Sequence, residues 1–165
     1  ILRRSSLETL HVITKSDLPS ETRSFNPHDV AVYGKRLYVA DADESSVWVF
    51  TLKGQFVKRI GSYGTGPLQF IHPRGLLPLG SPPEYLVVVE RGRLQLLTPD
   101  GNSSLQLLDP PGVHKTPFGS DNYNMMGATY DEESGNVYVA DTNDKVHVFG
   151  AVRRRGSVDL RTALR

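Results

Sequence analysis

Three times in this chain a five-residue apolar run ends on an acid: Leu37-Tyr38-Val39-Ala40-Asp41, Leu86-Val87-Val88-Val89-Glu90 and Val137-Tyr138-Val139-Ala140-Asp141. The acids stand at positions 41, 90 and 141, roughly fifty residues apart each time. A second short run follows each acid: Val47-Trp48-Val49-Phe50, Leu94-Gln95-Leu96-Leu97 and Val146-His147-Val148-Phe149. An entry phrase precedes each, namely Pro27-His28-Asp29-Val30, Pro73-Arg74-Gly75-Leu76 and Met125-Met126-Gly127-Ala128. The runs are short, rich in β-branched and aromatic residues, and punctuated by Gly and Pro, which is how strands and turns read. No segment sustains a helical period.

Four short strands repeating at this interval are the mark of propeller blades, each of which must stack on a neighbour to bury its faces. The expected fold is all-β: a partial β-propeller of about three blades, each a four-stranded antiparallel sheet. Strands a to d are expected at about 28–33, 36–41, 46–52 and 55–60 in blade one. Blade two takes about 74–79, 84–89, 93–98 and 103–108, and blade three about 126–130, 136–140, 145–149 and 156–162. Leu7 to Thr14 alternates and is expected as the outer strand of a preceding blade, joined to blade one by a polar linker. The chain thus divides into 1–24 (outer strand plus linker), 25–152 (three blades) and 153–165 (a basic tail or last outer strand). Closed propellers need about 4–8 blades. The remaining blades are expected on missing chain or from a second copy, unless an older ring has decayed.

With 165 residues the chain can bury one sizeable core. Nineteen Lys and Arg stand against 18 Asp and Glu, so bulk charge gives no case for nucleic acid or an acidic membrane. There is no cysteine, which excludes disulfides and thiolate metal sites. No apolar run approaches the ~20 residues of a membrane helix. The chain opens Ile1-Leu2-Arg3-Arg4, without Met and without the apolar core of a signal peptide, and is expected to be a piece of something longer. Compartment stays open, with a cytoplasmic setting favoured over a secretory one.

The phrases Phe25-Asn26-Pro27-His28-Asp29-Val30-Ala31-Val32, Leu37 to Asp41, Gly61-Ser62-Tyr63-Gly64-Thr65-Gly66 with Gln69-Phe70, and Pro73-Arg74-Gly75-Leu76 resemble NHL repeats. The resemblance covers roughly Phe25 to Gly150. It implies modules such as those of TRIM-NHL proteins, which dock proteins and in some cases single-stranded RNA on one loop face. More distantly, Pro27-His28-Asp29-Val30 resembles the entry phrase of peptidyl-hydroxyglycine amidating lyases. In those enzymes, histidines at the starts of inner strands converge on a catalytic zinc. The equivalents of His28 in blades two and three are Arg74 and Met126, so one possible ligand of three is present. A lyase reading would imply a secretory compartment.

With strand a innermost, the d–a and b–c loops share one face and the a–b and c–d turns the other. Candidate binding residues on the loop face are Tyr63, His72, Arg74, Arg91, Arg93, Lys115 and Tyr123, opposed by eight acids that make the face slightly acidic. Asp41, Glu90 and Asp141 could together hold a hard cation such as calcium. A residue repeated in every blade more simply serves its own loop as a backbone acceptor. No nucleophile elbow or phosphate loop is present. The expected function is therefore a non-enzymatic module that docks a protein partner through the loop face, without cofactor. The alternatives are a fragment of a zinc-dependent lyase with His28 as metal ligand, or a single-stranded RNA-binding module.

Overall fold

In the computed structural model, the described residues are 9–80, 84–98, 100–108, 125–142, 144–154 and 157–162. Blade one comprises β1 (Pro27–Tyr33), β2 (Arg36–Asp41), β3 (Ser46–Thr51) and β4 (Phe56–Ile60), hydrogen-bonded in that order. The short β5 (Ser62–Tyr63) and β6 (Gln69–Phe70) pair in parallel within the connection to blade two. Blade two is β7 (Gly75–Leu79), β8 (Tyr85–Glu90), β9 (Arg93–Leu97) and β10 (Ser104–Leu108). Blade three is β11 (Met125–Asp131), β12 (Asn136–Asp141), β13 (Lys145–Arg154) and β14 (Ser157–Thr162). All pairings within the blades are antiparallel, as expected for meandering strands joined by short turns.

Because side chains alternate across a strand, each blade offers one face to the blade before it and one to the blade after it. Tyr38, Ala40, Val47 and Val49 of blade one meet Leu76, Leu86, Val88 and Leu97 of blade two. The opposite face of blade two, with Val87, Val89, Leu94 and Leu96, meets Met125, Val137, Val139 and Phe149 of blade three. Burying each such side chain contributes roughly 1.5–3 kcal/mol, so these two interfaces are the core. Glycine marks where inner strands approach most closely. A Cβ on Gly75 would lie 2.2 Å from the Met126 carbonyl oxygen, so no larger residue fits once blade three is in place.

One sequence expectation needs correction. Residues 9–14, expected in an outer strand, lie outside any strand and lead into a single 3-10 turn at Lys15–Asp17. Instead of forming a blade edge, this segment covers the leading face of blade one. Ile13, Leu18 and Phe25 pack with Val39, Trp48, Phe50 and Phe56. Trp48 therefore packs against that segment. Residues 153 and 154 belong to β13, and its hairpin partner β14 (Ser157–Thr162) is the last outer strand, one of the two alternatives expected for this region. The long connection expected from 109 to 124 lies outside the described residues.

Candidate functional site

The loop end of each blade is built around its strand-end acid. Asp41 is fully buried. Its Oδ1 accepts the backbone N–H groups of Asp43 (3.0 Å) and Glu44 (3.1 Å), and its Oδ2 accepts the Trp48 indole N–H (2.9 Å). Glu90 accepts the Ile71 N–H at 2.6 Å and the Gln95 amide at 2.6 Å. Asp141 Oδ2 lies 2.9 Å from His147 Nε2. Trp48, Gln95 and His147 occupy one repeat position on strand c, opposite Val39, Val88 and Val139. Three chemically different donors thus serve one purpose. The acids turn into their own blades, and among the described residues no group of three or more His, Cys, Asp or Glu could hold a metal ion.

Burial pushes the Glu90 carboxyl up to about 7, opposed by the Arg93 guanidinium and by its hydrogen bonds to Gln95 and Ile71. Arg93 Nε lies 2.9 Å from Glu90 Oε1, an ion pair out of line for a hydrogen bond. The rest of the guanidinium donates to the carbonyls of Thr65, Gly64 (3.2 Å) and Gln69 (2.5 Å). Arg93 therefore clamps the 61–70 connection to blade two. Expected in the binding set, Arg93 is buried and holds this connection.

The remaining candidates separate cleanly. Tyr63 on β5 is 60% exposed and presents its ring outward. His72, held at φ 49°, has its Nδ1 3.0 Å from the Ala42 carbonyl and ties the b–c loop of blade one to the entry of blade two. Arg74 and Arg91 stand at the loop-face ends of β7 and β8, fixed by the backbone bonds Arg74 N–H to Val89 O (2.8 Å) and Arg91 N–H to Ile71 O (3.0 Å). Both side chains are partly buried. Lys115 and Tyr123 lie outside the described residues. His28 is exposed at a bulge in β1, between the pairs Pro27↔Asp41 and Asp29↔Ala40, and among the described residues it belongs to no group of three or more His, Cys, Asp or Glu that could hold a metal ion.

Sequence reasoning missed one functional arrangement, the internal engagement of the loop-face acids. Glu44 forms an ion pair with Arg59 (3.2 Å) and accepts the N–H groups of Arg23 (2.9 Å) and Ser24 (3.0 Å). Asp43 accepts from the Asn26 amide at 3.0 Å. With Asp41 and Glu90 engaged as above, the acids on the described loops of blades one and two are committed internally. The sequence counts eight acids on this face, but counting ignores hydrogen bonds that only the fold makes.

Set against known proteins, residues 17–98 match the model of a family described as a 6-bladed beta-propeller (DUF5128). That span runs from the 3-10 turn through the third strand of blade two. Among solved structures, the chain is similar to a Bacteroides fragilis protein described as exported, with a TM-score of 0.56 at 15% identity. The alignment covers 88% of this chain and 52% of that one, so the chain spans about half the length of the structure it matches. At that identity the likeness concerns the fold alone. No curated protein matches the chain. No helix of the described residues is long and apolar enough to cross a membrane, which says nothing of β-barrels.

Proposed function

We propose that this chain is a non-enzymatic docking module: a run of NHL-type propeller blades that receives a protein partner on its d–a and b–c loops. The observation that carries this reading is the bracing of the loop face. Asp41, the Glu90–Arg93–Gln95 cluster and His72 hold its loops from beneath, while Tyr63 faces outward at 60% exposure. Rigid strands presenting braced loops are a common platform for recognition, and an exposed tyrosine adds large contact area at little entropic cost. The half-length match to a longer fold supports a ring with more blades than these three.

The test pairs two faces of one molecule. Tyr63→Ala with His28→Ala alters the loop face; Lys35→Ala with Arg36→Ala alters the turn face. Partners retained by immobilised parent chain should be lost with the first pair and kept with the second. Retention that depends only on the turn-face pair overturns the proposal. Metal analysis belongs beside it, since stoichiometric zinc that disappears in His28→Ala would replace docking with the lyase reading.

A further inference from the structure

Four arginines approach the loop end of blades one and two, and they divide into two kinds. Arg59 is paired with Glu44 and lies over the Trp48 ring at 5.2 Å. Arg93 is buried against Glu90 and three carbonyls. Arg74 and Arg91 are different. The only side-chain hydrogen bond of Arg74 among the described residues is to the thioether of Met126, 3.6 Å from Nη1. Arg91 makes no side-chain hydrogen bond or ion pair among the described residues. Each has its Nε buried without a partner.

A partly buried guanidinium without a counter-ion has lost part of its hydration, and a carboxylate bonded to its Nη groups would compensate its charge. Among the described residues, the nearby acids are already engaged elsewhere. Glu90, the acid between them in sequence, is occupied by Ile71, Gln95 and Arg93. Asp29, on the neighbouring inner strand, accepts the N–H groups of Val30 and Leu76, both at 2.8 Å. Asp41, Asp43 and Glu44 are engaged within blade one. Of the four arginines, Arg74 and Arg91 are therefore the two without a carboxylate partner among the described residues.

We propose that Arg74 and Arg91 form a carboxylate-receiving site at the loop end of blade two, which takes an acidic side chain of the docked protein. Guanidinium donors are planar and rigid and match a carboxylate's two oxygens, and partial burial strengthens the pairing. Both positions are fixed by backbone hydrogen bonds to the neighbouring strand or loop, so little ordering accompanies capture. A phosphate chain fits less well. Strand-like RNA recognition combines repeated phosphate contacts with several stacking rings, and Tyr63 is the one strongly exposed aromatic here among the described residues. This inference rests on the loop-face reading above and names the chemistry of its partner.

Calorimetric titration with a short, end-blocked glutamate peptide, its glutamine counterpart and a single-stranded oligonucleotide tests it. The glutamate peptide should bind and the glutamine peptide should not. Arg74→Gln or Arg91→Gln should weaken binding about tenfold, as for loss of one charge-assisted hydrogen bond. Arg74→Lys and Arg91→Lys, which keep the charge but lose the fork, should weaken it less and guard against misfolded Gln variants. No binding of the glutamate peptide, binding that survives both Gln substitutions, or tighter binding of the oligonucleotide each overturns the site. Binding that survives at the arginines but falls in Tyr63→Ala removes the site and leaves the docking face. Indifference to Tyr63, Arg74 and Arg91 alike removes both.

Discussion

Blade one and blade three share a strand order and a strand-end acid, yet their outward faces meet different surroundings. The leading face of blade one carries Val39, Trp48 and Phe50, all nearly or fully buried, because Ile13, Leu18 and Phe25 lie across it. The cover is pinned at its end by Glu44, which accepts the Arg23 and Ser24 N–H groups, and by the Ala42 N–H to Asn26 O bond. The trailing face of blade three has no such cover among the described residues. Val146 is 64% and Val148 38% exposed there. Their counterparts in blade one, Val47 and Val49, are sealed against blade two. The repeat sequence cannot distinguish the two ends, since a valine facing a neighbour and a valine facing water are the same letter in the same register. An exposed sheet face of this kind is a ready surface for pairing or association.

The same contrast appears at one glycine. Gly75 and Gly127 hold the same repeat position, but a Cβ on Gly75 would strike Met126, whereas a Cβ on Gly127 would meet nothing within 4 Å. Gly127 has the smallness that an arriving inner strand requires, without such a strand against it.

These differences can be broken by substitution, beginning with the largest expected effect. Trp48→Ala removes a buried ring from the leading face and leaves Asp41 without its indole donor, and should cost about 3–5 kcal/mol in denaturant unfolding. Val148→Ala on the trailing face should stay within ~0.5 kcal/mol. Equal losses at the two would show that the trailing face is covered after all. Next, Gly75→Ala should destabilise by about 1–3 kcal/mol through overpacking, while Gly127→Ala should leave the melting temperature unchanged or slightly raised. A comparable drop at Gly127 would mean that something occupies that space in solution. The smallest effect on stability belongs to Val146→Lys. Folding should be unaffected within ~0.5 kcal/mol, and any concentration-dependent association seen by sedimentation should diminish. Undiminished association would place the contact elsewhere, with the loop face as the next surface to examine.

Much of this architecture is legible in the chain of letters. The predicted strand positions fall within a residue or two of those observed across most of the three blades, because alternation, Gly turns and a fifty-residue recurrence all point the same way. Asp41, Glu90 and Asp141 are likewise recognisable as loop-bracing acids, since a feature present in every blade serves what every blade needs. What failed was the fate of single residues. His72 and Arg93 look like binding residues by type and position, yet one bridges to Ala42 and the other clamps the connection between blades. Residues 9–14 alternate like a strand but have no strand beside them, and the apolar residues from Ile13 to Phe25 bury themselves on blade one instead.

The sequence alone determined the repeat, the strand order and the register, because each depends on local alternation and on short turns. Only tertiary structure decided which faces are sealed and which charges remain uncompensated. Burial and hydrogen bonding are properties of neighbours distant in the chain. The side chain of Trp48 needs the segment from Ile13 to Phe25, and the loop-face carboxylates of blades one and two meet Arg59, Arg93 and a handful of backbone N–H groups only in the fold. Arg74 and Arg91 stand out only after that accounting is complete.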